Sequence, residues 1–322
     1  MTAGLISLDA IRDAAAAIAG VAVRTPLLPC PWADRLWIKP ENLQPVGSFK
    51  LRGARNALCR LSPQQRAGGV VTHSSGNHGQ ALAFAGRTLG IPVLVVMPDT
   101  APAVKVAATR RYGAEVVMVP PPQRHTRAAA LAAERGLTLV PPYDHLDVIA
   151  GQGTIGLEII ADLADVDVVL VPIGGGGLAS GVASAVKALA PHVAVIGVEP
   201  AEAADAAESL SVGEVRSWAV ERTYRTVADG LRGNLSELTF AHLRARLDGI
   251  VTVTEHEILA TVPTLVHSAR IVAEPSGAVA TAAALYHRDE LPAGRTVAVV
   301  TGGNMDPVAL ASLLAAAPDA PA

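Results

Sequence analysis

Apolar positions along the chain alternate between two spacings. Short β-branched runs at 70–71, 93–97, 115–119 and 137–140 are separated by alanine-rich stretches with helical spacing, at about 80–89, onward through Arg110, and near 127–135. This is the rhythm of β-α-β units and a parallel sheet. Pro141 and Pro142 interrupt it, and it then restarts. A helix is expected from Gln152, a strand at 168–171, a helix from Leu178 and a strand at 193–198. After a less regular, more charged stretch at 201–233 come a strand at 250–253, a helical region from Glu255 and a last strand at 297–300. Near the N-terminus Ser7 reads as the cap of an amphipathic helix, with Asp9 in its first turn. The pattern predicts an α/β chain of two lobes with open, mostly parallel twisted sheets. The smaller, mobile domain is placed at 65–143, inserted into a larger cofactor-binding domain made of 1–64 and 144–322.

Ligands of open parallel sheets sit beyond the carboxyl ends of the strands. Three polar, glycine-bearing stretches fall there, at 74–79, 174–177 and 301–304. Stacked lobes would turn all three into one crevice, with a cofactor clamped between them.

Composition narrows the partners. The formal net charge of -3 and the lack of any Lys/Arg run argue against nucleic acid or an anionic membrane as the main partner. Scarce aromatics and abundant alanine predict a core of small, closely packed side chains. Cys30 and Cys59 make neither a disulfide framework nor a zinc site, which fits a reducing cytoplasm. Asp9, Arg12 and Asp13 interrupt the start that a signal peptide would need, and no uninterrupted apolar stretch is long enough to span a bilayer.

Gly174, Gly175, Gly176 and Gly177 lie between a strand and a helix. Unobstructed backbone N–H groups and the positive end of a helix suit a phosphate there. The glycine spacing is not that of a dinucleotide site, and no Gly-Lys-Ser/Thr of a P-loop follows. Ser74-Ser75-Gly76-Asn77-His78-Gly79 is dense in small donors and acceptors; alone it reads equally as a capping loop. A lysine such as Lys50, taken alone, is usually a solvated charge.

The order of segments changes that reading. Lys39-Pro40-Glu41-Asn42-Leu43-Gln44, Gly47-Ser48-Phe49-Lys50, Arg52-Gly53-Ala54 and the 74–79 loop come first. Ala150-Gly151-Gln152-Gly153-Thr154, the four glycines, Glu199-Pro200, Ala228-Asp229-Gly230, Glu274-Pro275-Ser276-Gly277 and Thr301-Gly302-Gly303-Asn304 follow. In this order and spacing, from about residue 20 to 310, the chain resembles the serine/threonine dehydratase and serine racemase group of fold-type II pyridoxal-phosphate enzymes, whose architecture is like that of the tryptophan synthase β subunit.

The resemblance implies that Lys50 forms the Schiff base with pyridoxal 5'-phosphate, Phe49 packs by the ring and Asn77 meets its phenolic oxygen. It implies that Gly174 to Gly177 hold the phosphate and that Gly230 and Glu274 line the ring. Ser74, Ser75, Asn77 and His78 would bind the substrate carboxylate, with Ser75 catalytic on the face opposite Lys50. Thr301 falls at the pyridine nitrogen, where many members carry Ser. A carboxylate there would raise the nitrogen's pKa by roughly 1–3 units, whereas a neutral hydroxyl does not. The ring is then a weaker electron sink, which favours β-elimination or racemisation over transamination.

Glu199, Ala203 and Asp205 have the spacing of that group's divalent-cation site, where oxygen ligands suit Mg2+, Ca2+ or Mn2+. His73, His125, His145, His192 and His267 lack ligand spacing and read as surface or satisfied polar residues. Arg124 and Arg127 both fall where a small-lobe arginine would meet substrate, and neither is assigned. The expected activity is a lyase converting L-serine or L-threonine to a 2-oxo acid and ammonia. A serine racemase and a threo-3-hydroxyaspartate dehydratase share the same motifs. A nucleophile-adding synthase fits the Lys50 block less well, and a non-catalytic cofactor-binding protein would have lost the lysine, the glycine loop or the ring partner. Members of the group are usually homodimers or homotetramers.

Overall fold

A computed structural model describes residues 4–74 and 76–316. The strands are β1 (Leu28–Pro29), β2 (Leu36–Pro40), β3 (Val70–His73), β4 (Val93–Pro98), β5 (Glu115–Val119), β6 (Thr138–Leu139), β7 (Val168–Pro172), β8 (Ala194–Pro200), β9 (Gly249–Val253) and β10 (Thr296–Val300). The helices are α1 (Leu8–Ile18), α2 (Lys50–Arg60), α3 (Pro63–Gly68), α4 (Asn77–Leu89), α5 (Ala103–Arg111), α6 (Arg124–Arg135) and α7 (Leu146–Asp162). They continue as α8 (Gly177–Leu189), α9 (Asp205–Val212), α10 (Val220–Thr223), α11 (Glu237–Arg246), α12 (Glu255–Thr264), α13 (Pro275–Tyr286) and α14 (Pro307–Ala316).

Two sheets result. The larger has the order β1-β2-β10-β7-β8-β9, parallel except for β1 against β2. The smaller has the order β5-β4-β3-β6 and is wholly parallel. Alternation along β10 shows why both faces of the large sheet are dry. Val297 and Val299 enter the cluster under α8, while Ala298 and Val300 enter the one under α13. Every residue of β4 is buried, as expected of an inner parallel strand. The small sheet's core also takes in Val46, Leu51, Ala54 and Leu58 from the α2 region.

The element boundaries correct the sequence reading in places. Helix α4 starts at Asn77 rather than near Gln80, and α6 at Arg124 rather than near Arg127. The largest shift is α7, which starts six residues before the expected Gln152. Its glycines are the surface on which neighbours pack. A Cβ on Gly151 would lie 2.6 Å from the Arg52 carbonyl oxygen, and one on Gly156 would lie 2.8 Å from that of Val182. Side-chain-free contact with α2 and α8 outweighs the conformational cost of glycine in a helix. Ser7 caps α1 as expected, its hydroxyl accepting from the Ala10 amide.

Candidate active site

In the large sheet the strand order reverses between β10 and β7, and in the small sheet between β3 and β6. Such reversals splay the connections that leave adjacent strands and open a crevice. Here the segments following β3, β7 and β10 line one shared cavity. Phe49, Lys50, Ser74, Asn77, His78, Gly174, Gly175, Gly176, Gly177, Gly230 and Thr301 all face it. Of the other positions expected at the site, Glu274 stands behind Asn77 rather than on the wall, and Ser75 lies outside the described residues.

Lys50 is the first residue of α2. Its ammonium donates to the Pro142 carbonyl at 2.8 Å and lies 5.0 Å from the Phe49 ring centroid. Burial disfavours its charge and lowers its pKa to about 8. The Phe49 amide donates to the Thr301 carbonyl at 3.0 Å, and Ser48 forms a β-bridge with Gly302. The segment carrying the lysine is thereby stitched to the end of β10.

The four glycines turn from β7 into α8. Gly176 takes the left-handed region at φ +84°, where a side chain would be strained. A Cβ on Gly174 would come within 2.9 Å of the Leu231 Cα, and one on Gly175 within 2.4 Å of the Tyr143 ring. The first amides of a helix have no intrahelical partner, so those opening α8 are free to meet an anion.

At the start of α4, Asn77 donates through Nδ2 to Glu274 and accepts at Oδ1 from Asn304 Nδ2 at 2.9 Å. Ser74 Oγ accepts from the Gly76 and Gly79 amides at 3.0 and 2.9 Å, so this hydroxyl also shapes its own loop. His78 is buried with Nε2 against the Val140 carbonyl, and burial lowers its pKa to about 3. The Thr301 hydroxyl is buried and donates to the Ser276 carbonyl at 3.1 Å.

A model of the pyridoxal-phosphate dependent enzymes matches residues 18–302. The chain belongs to this family. It is 40% identical over 293 residues to L-threo-3-hydroxyaspartate ammonia-lyase of Saccharomyces cerevisiae, covering 89% of this chain and 88% of that protein. Maize serine racemase superposes with a TM-score of 0.91 at 35% identity, over 95% of this chain and 96% of that one. A threonine deaminase from T.th. gives 0.87 at 44% identity, over 93% and 99%. The chain is thus an enzyme of the pyridoxal-phosphate dependent lyase and racemase group, with the fold expected from its sequence. The glycine cradle, the buried lysine amine and a neutral hydroxyl at the end of β10 fit this cofactor's phosphate, aldehyde and ring nitrogen.

Several residues of this cavity escape sequence reasoning. Lys105 lies on the wall with Asp229, Tyr143 and Ser276. Of the two unassigned arginines, Arg124 lines the cavity while Arg127 pairs with Glu134 on the surface. His73 is not the bland residue expected. It lines the cavity, stacks on His125 at 3.9 Å between ring centroids, and keeps a buried Nδ1 without a hydrogen-bond partner among the described residues.

Behind Lys50 is a buried charge cluster. Arg52 bonds Glu41 at 2.8 Å and Glu158 at 2.6 Å, and Lys39 bonds Glu158 at 2.6 Å. Burial alone would raise the Glu41 pKa, but Arg52 beside it holds the carboxyl below its usual value.

Glu199 and Asp205 are buried away from the cavity wall, with Ala203 between them also buried. Glu199 accepts from the Ala206 and Ala207 amides at 3.0 and 2.8 Å, and Asp205 Oδ2 from the Leu235 amide at 2.9 Å. Asp205 Oδ1 is buried with no partner among the described residues. Burial raises both carboxyls, Asp205 to about 7. Among the described residues no group of three His, Cys, Asp or Glu side chains gathers as a metal cluster. The expected site needs only two carboxylates and a carbonyl, and an orphaned carboxylate oxygen fits a cation.

Proposed function

We propose that this enzyme removes water and then ammonia from a small 3-hydroxy-amino acid, L-serine or L-threonine, releasing a 2-oxo acid. The observation that carries the reading is the buried Lys50 amine, with its pKa lowered to about 8, sharing one cavity with the glycine cradle and Thr301. Pyridoxal phosphate, when bound, supplies an electron-withdrawing ring that acidifies the hydrogen on the substrate's α-carbon.

The chain supplies the rest. Gly174 to Gly177 and the α8 terminus hold the phosphate. Lys50 would hold the cofactor through its amine and, with that amine neutral and free, would serve as the base for the substrate's α-proton. Phe49 and Gly230 bound the ring, and Asn77, backed by Glu274, faces its phenolic oxygen. Thr301 offers the ring nitrogen a hydroxyl and no negative charge, so leaving-group loss outcompetes slower fates. Ser74, Asn77 and His78 orient the substrate carboxylate. Ser75 is the candidate for proton transfer on the opposite face, the step that would make a racemase.

The test is the visible absorbance of lysine-bound cofactor, quenched by borohydride, together with 2-oxo acid release. Lys50→Ala should abolish both; retained wild-type turnover would sink the assignment. D-serine formation is followed in the same assays.

A second reading has its own observation. Arg124 places a cation on the cavity wall, while the Lys105 charge there is already met by Asp229 and Glu274. A substrate with a second carboxylate, such as L-threo-3-hydroxyaspartate, would be drawn to such a wall. A kcat/KM for hydroxyaspartate at least about tenfold above that for threonine would favour this reading. A preference for threonine would exclude it.

We read Glu199, the Ala203 carbonyl and Asp205 as a site for Mg2+, Ca2+ or Mn2+. A chelator should then lower the melting temperature, because a ligand bound only by the folded state stabilises it. Restoration by Mg2+, Ca2+ or Mn2+ is expected, and an unchanged transition would reject the site.

A further inference from the structure

We propose that Lys105 is a positioning residue that fastens the small sheet to the large one across the cavity and, through Glu274, fixes which way the Asn77 amide faces. The inference rests on the cofactor reading above, since the orientation of Asn77 matters only if a ring occupies the cavity.

Nothing in the α5 sequence marks this lysine, and an ordinary helix lysine is solvated. Here Lys105 is 4% exposed. Its ammonium lies 2.7 Å from Asp229 and 2.8 Å from Glu274. The lysine is on the small-sheet side; Asp229 follows β8 in sequence, and Glu274 caps α13, which packs on the large sheet. The stem lies flat on the loop after β3, where a Cβ on Gly76 would come within 2.3 Å of the lysine Cδ. One cation thus joins the 74–79 loop to two carboxylates from separate segments.

Glu274 passes the constraint on. One of its oxygens meets Lys105 and the other accepts from Asn77 Nδ2. Asn304 donates to Asn77 Oδ1 at 2.9 Å and to the Val46 carbonyl at 2.8 Å. A carboxylate is acceptor-only, so it forces the NH2 side of the amide toward itself. One N–H of Asn77 then remains for the cavity. A protonated Glu274 would offer a donor as well, and Asn77 would then be oriented by Asn304 alone. Burial pushes the Glu274 carboxyl up, and the Lys105 ammonium pulls it back toward the anion. Removing that charge loosens both the tie and the amide.

Lys105→Met keeps the stem and deletes the charge. Titration of the apoprotein with pyridoxal phosphate should show at least a tenfold loss of affinity, with a shifted visible band. The melting temperature should also fall, because the buried Glu274 and the half-buried Asp229 carboxylates lose their counter-charge. The double variant Lys105→Met/Glu274→Gln separates the roles. Glutamine strands no charge, so much of the thermal loss should return. Its amide can face either way and leaves Asn77 held by Asn304 alone, so affinity and band should stay altered. Recovery of affinity and band together with melting temperature would reduce Lys105 to a structural ion pair and overturn the proposal. So would wild-type affinity and an unchanged band in Lys105→Met. If the single variant does not fold, the double variant decides between the same two outcomes. Failure of the cofactor reading looks different: wild type would then bind no pyridoxal phosphate, or Lys50→Ala would keep the borohydride-sensitive band.

Discussion

At the scale of single residues, the site depends on keeping a lysine neutral. In the proposed role Lys50 would meet an aldehyde through its free amine, and burial lowers its pKa from 10.5 to about 8. The rate at which apoprotein takes up pyridoxal phosphate into the lysine-bound form should therefore rise with pH and level off just above pH 8. A lysine at its ordinary value would keep gaining until beyond pH 10. Stopped-flow absorbance across pH 6.5 to 10.5 would distinguish the two, and a rise that continues to the upper end would mean that Lys50 is not desolvated as its surroundings indicate. Residue identity was the most legible level in the sequence where chemistry demands a rare combination: a lysine, four glycines and a hydroxyl at successive strand ends. Lys105 and His73 were illegible for the same physical reason. Their significance lies in what packs against them, and a lysine in a basic helix or a histidine after a strand carries no spacing of its own.

At the scale of elements, most strands were legible because inner parallel strands are rich in Val, Ile and Leu, whereas the short β1 and the mixed LWIKP run of β2 were not among those expected. Helix starts were less so. Helix α7 shows why: Gly151, Gly153 and Gly156 look like a break but allow backbone-close crossings with its neighbours. The tightest lies on the partner helix, where a Cβ on Gly181 would sit 2.3 Å from the Ile149 carbonyl oxygen and 2.6 Å from the Gly153 amide nitrogen. Both obstacles are backbone atoms, which cannot rotate away. Gly181→Ala should cost on the order of 1–3 kcal/mol, the usual range for overpacking. In the exposed interior of a helix the same change would be stabilising. A measured rise in unfolding free energy would show that α7 and α8 do not cross this closely.

At the scale of the whole molecule, the buried quartet of Lys39, Glu41, Arg52 and Glu158 joins β2, the turn after it, α2 and α7. Its two cations balance its two anions, so deleting one member leaves charge unpaired in the interior. Arg52→Met should destabilise by about 3–5 kcal/mol, measured by denaturant unfolding. The quartet should also set acid lability. The Glu41 pKa is depressed in the folded protein from an ordinary 4.5. Its stabilising contribution is therefore complete above the unfolded value and is lost as pH falls through the lower folded one. Glu41→Gln should lower stability at pH 7 and flatten its decline between pH 5 and 3; an unchanged acid slope would remove Glu41 from the account. None of this was legible beforehand, since the four residues span 120 positions and meet only because α2 lies between β2 and α7.

The place of β10 has a consequence for how the protein is made. It is the last strand among the described residues, yet it lies in the interior of the large sheet, between β2 and β7. The small sheet is contiguous in sequence, within 70–139, and its pairings can form while the remainder is still on the ribosome. The large sheet cannot close, nor Thr301 reach the cavity, until the final strand has emerged. At roughly 5–20 residues per second that interval is on the order of ten to thirty seconds. Nascent chains should therefore carry a protected small sheet early and acquire the vitamin B6 cofactor only after β10 has emerged.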